Sequence, residues 1–125
     1  MLLVYTLYFK ENEVIIIEEQ YISYDDRRNL VNEVLELAKQ DKLNNQQKKQ
    51  LHDIVMDISG TDTQKQRFLL FYNLEEQQDK KYRWCDLQKR YNCTYNAIKS
   101  SVNRIAFKLM RADVDKILML KRMLE

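Results

Sequence analysis

The side chains best suited to chemistry in this 125-residue chain are the amides, hydroxyls and cations between residues 94 and 111. Tyr95, Asn96, Lys99, Ser100 and Asn103 share one side of a predicted helix. Ile98, Val102, Ile105 and Leu109, at 4-3-4 spacing, occupy the other. Amides suit adenine edges, lysine suits guanine and hydroxyls serve several bases. Arg104 and Lys108 follow along the helix and suit phosphates. Thr94 can cap this helix and present its N-terminus to a phosphate. The chemistry is recognition of duplex DNA. Bond-making combinations do not emerge. His52 is the one histidine, and the sequence shows no support for a Ser-His-Asp or a Cys-His arrangement around it. It lies beside the apolar stripe of its helix and reads as structural or surface. The carboxylate pairs Glu18-Glu19, Asp25-Asp26 and Glu75-Glu76 are adjacent in sequence, which points their members apart. A single glycine makes no phosphate-cradling loop. Cys85, Cys93 and His52 lack zinc-site spacing. We expect no enzyme, no metal and no cofactor.

A helix that reads DNA must be both buried and accessible, and a helix-turn-helix meets that demand. Trp84, Leu87 and Tyr91, at i, i+3 and i+7, give a short first helix over about Arg83–Tyr91. Asn92-Cys93 makes the turn, with Asn92 tolerant of left-handed backbone. Charge supports the placement. Residues 1–61 hold seven basic and eleven acidic side chains, a net −4. Residues 62–125 hold fourteen and eight, a net +6. Residues 83–111 carry seven basic residues against Asp86 alone.

The rest of the chain reads as support. One glycine and no proline disfavour a turn-rich sheet fold. Leu2–Phe9 and Val14–Ile17 are rich in β-branched and aromatic residues and predict a β-hairpin with its loop near Glu11-Asn12. Asp25 or Asp26 caps a helix to about Gln40, with Leu30, Val31, Val34, Leu37 and Ala38 inward. Asn44 or Asn45 starts another, with the stripe Leu51, Ile54, Val55 and Ile58, and Gly60 as its left-handed C-cap. Thr61, Asp62 or Thr63 caps a third, rich in Phe68, Leu69, Phe71, Tyr72 and Leu74. Glu75–Lys81 reads as a polar loop. The apolar phase slips near Arg111–Asp113, so a break is expected before Val114, Ile117, Leu118 and Leu120. The fold class expected is mainly α: an N-terminal β-hairpin, then a helical bundle ending in a helix-turn-helix. The main boundary falls at Gly60, separating an assembly or regulatory part (1–60) from a DNA-binding part (61–125).

From Gln64 to Arg111 the chain resembles the fourth region of sigma-70-type sigma factors. Gln66-Arg67 followed by Phe68–Tyr72 matches that family's opening "QR" and apolar helix. Asp86-Leu87 stands at its E-I positions, Tyr91-Asn92 at leucine-glycine, Thr94 at the serine cap and Ile98-Lys99 at V-K. Arg104, Lys108 and Leu109 fall at its spacing. The resemblance implies binding to the −35 promoter element. It also departs: Gln88 stands for a small alanine, Glu75–Tyr82 is a longer link, and residues 1–60 do not resemble the promoter-melting region. It therefore points to a short sigma-like regulator of the phage or mobile-element type.

The expected partners are double-stranded DNA and RNA polymerase, with a homodimer through the hairpin as a further expectation. A competing reading is a protein-interaction module without DNA contact, with the acidic first half as its working surface. A packaging or replication component could use the same motif. No apolar run is long enough to span a bilayer and the N-terminus makes a poor signal peptide, so a reduced, cytoplasmic setting is expected.

Overall fold

The computed structural model describes residues 22–125 with their side chains and, before them, two strands, β1 (Leu2–Lys10) and β2 (Glu13–Tyr21), which pair antiparallel. From Ile22 to Glu125 helices make up 69% of the residues, in six segments. From Ile22 onward the described fold is all-helical. The hairpin predicted over Leu2–Ile17 falls on β1 and β2, which run on to Lys10 and Tyr21 with Lys10 opposite Glu13 at the turn, and the dimer surface expected on it rests on side chains outside the described ones. A two-stranded ribbon needs a third strand or a helical layer to be stable, and the described core is built by helices packing on helices.

Helix α1 spans Tyr24–Lys39. Its cap is Ser23, not Asp25 or Asp26: Ser23 Oγ accepts from Asp26 N at 3.2 Å. Starting earlier leaves both aspartates in the first turn, where the helix dipole favours negative charge. Helix α2 spans Asn45–Asp57 behind the Asn44 cap, with Gln47 reciprocating. Helix α3 spans Asp62–Phe71 behind Thr61, with Gln64 in the same reciprocal role. Helices α4 (Trp84–Tyr91), α5 (Tyr95–Met110) and α6 (Val114–Arg122) follow. The break before α6 falls where the apolar phase slips, with Asp113 as its cap.

Gly60 does not cap α2. That helix ends at Asp57 with Ile58 extended, and Gly60 takes φ +149° two residues on. A Cβ there would lie 2.9 Å from Ile105 Cδ1. The glycine is thus needed where the α2–α3 link passes over α5. Left-handed C-terminal positions instead fall to Asp41 (φ 58°), Asn73 (φ 61°) and Asn92 (φ 49°). Asp and Asn are the non-glycine residues that best tolerate this conformation.

Helix α3 packs on α5, α4 packs on α5, α2 on α3, and α1 on α5 and α6. One buried cluster runs from Ile22 to Met123 and includes Val34, Leu51, Phe68, Leu87, Ile98, Ile105, Leu109 and Ile117. Two polar clamps fix the ends of the helices. Lys39 Nζ donates to Phe71 O and Tyr82 O, both at 2.8 Å, and Asn73 Nδ2 returns bonds to Ala38 O and Lys39 O. Burial lowers the Lys39 pKa, and nearby Lys81 lowers it further. Arg27 donates to Ile22 O, Met110 O and Ala112 O, tying the start of α1 to the end of α5. Most of these bonds join positions far apart in the chain, so they leave no periodic signal in sequence.

Candidate nucleic-acid interface

Helix α4 begins where Arg83 N donates to Asp86 Oδ2 at 2.9 Å. That bond, with one from the Arg83 side chain, holds the Asp86 carboxyl at about 2, and Lys80 lies 3.6 Å away. Leu87 is fully buried. Trp84 stacks on Phe71 with centroids 3.9 Å apart and meets the Tyr95 ring edge-on at 5.7 Å. The Tyr91 hydroxyl donates to Gln66 Oε1 at 2.6 Å, and the Arg67 guanidinium lies 4.7 Å over its ring. Helix α4 is thereby held between α3 and α5.

The turn is three residues long. Asn92 sits at φ 49°, ψ 54°, and the amides of Asn92 and Cys93 both donate to Gln88 O. Gln88, half-buried, therefore supports the turn through its backbone. Thr94 Oγ1 accepts from Ala97 N at 3.2 Å and starts α5. Behind α5, Arg67 Nη1 donates to Ser101 Oγ at 2.9 Å, and Ser101 Oγ donates to Ala97 O. Arg67 and Gln66, the opening pair of the resemblance, thus fix α5 and α4 against α3.

Along α5, Ile98, Val102, Ile105 and Leu109 are buried as predicted. At about 100° per residue, Asn96, Ser100 and Asn103 lie on the side opposite that stripe, and all three are exposed. Lys99 and Tyr95 turn towards the α4 flank, where Tyr95 rests on Trp84 and Lys99 Nζ lies 5.6 Å from the Tyr95 ring. Arg104, exposed, and Lys108, half-buried, take the other flank. Thr94 stands at the helix N-terminus. The structure thus gathers Asn96, Ser100 and Asn103 on the exposed side of α5, with Lys99 and Tyr95 on one flank, Arg104 and Lys108 on the other and Thr94 at its start. Sequence reasoning passed over Phe107, which is 53% exposed on the same side. Its position opposite the apolar stripe was readable from periodicity. It also passed over Arg67 and Ser101, whose pairing depends on the tertiary fold.

Helix α5 contains no carboxylate. Among the described residues, Lys99, Arg104 and Lys108 form no ion pair, whereas Arg28 pairs with Asp25, Lys48 with Asp41, and Lys116 with Asp57 and Asp113.

Elsewhere, a groove of about 790 Å³ lies between α2 and the α3–α4 loop, lined by residues of both charges including Lys48, His52, Asp53 and Lys81. No α5 residue lines it. His52 Nδ1 lies 3.4 Å from Asp53 Oδ1. Among the described residues no cluster of His, Cys, Asp and Glu could hold a metal ion, and no helix is long and apolar enough to cross a membrane. No family model, curated protein or solved structure matches the chain.

Proposed function

We propose that this chain is a sequence-specific DNA-binding transcription regulator whose helix α5 enters the major groove. The reading is carried by one observation: the exposed side of α5 combines base-compatible amides and hydroxyls with cations that meet no carboxylate among the described residues. A merely solvated helix in a chain with nineteen acidic residues has ample means to pair its lysines and arginines, and α1, α2 and α6 each pair one, Arg28, Lys48 and Lys116. The α4–α5 geometry supports it further. A short helix anchored by buried Leu87, a three-residue turn through a left-handed Asn92 and a capped second helix are what groove insertion requires. In this reading Asn96, Ser100, Asn103 and Lys99 contact base edges, and Thr94, Arg104 and Lys108 contact phosphates. The resemblance to the −35-binding region of sigma factors makes RNA polymerase the partner to test first.

Selection of bound duplexes from a random pool, with and without RNA polymerase, tests the reading. We expect enrichment of a short motif, weaker binding as salt rises, and an altered motif for Lys99→Ala or Asn103→Ala. A chain that binds no duplex at low salt, alone or with polymerase, overturns it.

A further inference from the structure

Phe107 is the most exposed large hydrophobic residue among the described ones, at 53%. It does not sit at the edge of the core. At about 100° per residue it points about 180° away from the stripe of Ile98, Val102, Ile105 and Leu109. It continues the line of Asn96, Ser100 and Asn103, at offsets of four, seven and eleven residues from Asn96. Asn103 stands one turn before it, and Arg111, exposed, one turn after. Arg104 and Lys108 flank it, and neither they nor Arg111 meet a carboxylate among the described residues. A large ring surrounded by such cations suits a partner that is anionic outside and apolar at one point within. Duplex DNA offers that combination in the major groove, where the thymine C5-methyl is the apolar group on a base edge. From Asn96 to Phe107 the helix rises about 17 Å, the length of about five base pairs at 3.4 Å each.

We propose that Phe107 determines specificity by packing its ring on the methyl group of a thymine at the end of the site farthest from Thr94. This rests on the DNA-binding reading above and adds one base and one contact to it. Asn96, Ser100 and Asn103 read polar edges. Phe107 reads the apolar one.

Deoxyuridine, which lacks only that methyl group, isolates the contact. The probe is the duplex selected from the random pool, with each thymine replaced singly by deoxyuridine, and binding is followed by fluorescence anisotropy. The native chain is expected to lose about fourfold in affinity at one position, the equivalent of one buried methyl group, and little elsewhere. Phe107→Ala should bind thymine and deoxyuridine at that position equally. Phe107→Leu should restore part of the discrimination. Asn103→Ala should leave that discrimination in place. Discrimination that persists in Phe107→Ala, or uniform binding of every deoxyuridine duplex by the native chain, overturns the inference while leaving DNA binding intact. A change in sedimented mass with Phe107→Ala, and none in discrimination, assigns the ring to a protein contact and overturns it as well. Failure of the native chain to bind any duplex removes the DNA-binding reading itself, a result distinct from both.

Discussion

Helices α2 and α5 are built alike and end differently. Each starts from a polar cap that binds the third amide of its helix, and each buries one apolar stripe in the shared core. Each also follows a left-handed turn residue, Asp41 for α2 and Asn92 for α5. The contrast lies on the solvent side. Helix α2 carries Asp53 and Asp57, its Lys48 pairs with Asp41, and Asp57 meets Lys116 at 2.9 Å. Helix α5 has no carboxylate, and its three cations have no ion-pair partner among the described residues. Cap and stripe specify that a helix forms and where it is buried. Only the treatment of its free charges separates a supporting helix from one with work at its surface.

The largest expected effect breaks the contrast directly. Replacing Lys99, Arg104 and Lys108 together by Ala should weaken duplex binding by at least about a hundredfold at moderate salt. It should also lower the slope of log affinity against log salt by about 2, one for each phosphate that Arg104 and Lys108 then leave unneutralised. Replacing Lys48 and Lys49 of α2 should leave affinity within about threefold, since long-range attraction between exposed charges is largely screened. Equal losses from the two sets would show general electrostatic attraction with no preferred helix. Neither set should alter the fold, because none of the five residues is buried.

Gly60 ties the two helices together physically. It follows α2 by three residues, and its missing Cβ leaves room for Ile105 of α5. Gly60→Ala combines a backbone angle alien to L side chains with an approach of 2.9 Å. We expect a loss of about 2 kcal/mol in denaturant unfolding, within the usual range for overpacking and for forcing a side chain into positive φ. A neutral result would mean that the link moves aside and that α2 and α5 are less rigidly joined than the packing indicates.

Much of this was legible in the chain. The stripes of α2 and α5, the Thr94 cap, the turn at Asn92 and the break before α6 follow from periodicity and local bonding, which sequence carries directly, while Asn44 and Thr61 each stood among two or three candidate caps. Two features did not. Ser23 displaces the aspartates as the cap of α1 because aspartate also serves the first turn, and local chemistry does not choose between the two. Gly60 was assigned the common role of glycine after a helix, whereas its requirement comes from Ile105, distant in sequence and close in space. At the interface the residue types were readable, and so was the position of Phe107. The Arg67–Ser101 bond behind them was not, because it depends on how α3 crosses α5.

The two left-handed turns give a finer test. Asn92→Val places a β-branched residue at φ 49°, and Asp41→Val does the same at φ 58°. Each should lose about 1–2 kcal/mol of stability, the cost of left-handed backbone for such a side chain. Asn92→Gly should stay within about 0.5 kcal/mol of the native chain, because glycine's ease in this region offsets its greater freedom when unfolded. Only the Asn92 substitution should also change duplex affinity when measured well below the unfolding temperature, because only that turn orients α5 against α4. Loss of binding from Asp41→Val would place part of the interface on the α2 side.

The smallest effect is a titration. Hydrogen bonds from the Arg83 backbone and side chain hold the Asp86 carboxyl at about 2, against about 4 for a free aspartate. A carboxyl depressed on folding adds stability that is complete above the unfolded value and is lost as pH falls through the folded one. The native chain should therefore exceed Asp86→Asn in thermal stability by a constant margin from pH 7 to about 5. The margin should shrink between about pH 4 and 2 and vanish below. Asp41 offers the matching titration beside α2: its bond from Lys48 lowers its pKa too, and Asp41→Asn should lose its margin over the acid range in the same direction. The two differ in readout. Protonating Asp86 loosens the start of α4, so tryptophan fluorescence from Trp84, stacked on Phe71 two residues earlier in that helix, should follow its titration and ignore that of Asp41. A fluorescence transition that persists unchanged in Asp86→Asn would show that the acid response of α4 arises elsewhere, and that its N-terminus is held by packing on Phe71 and not by the carboxylate.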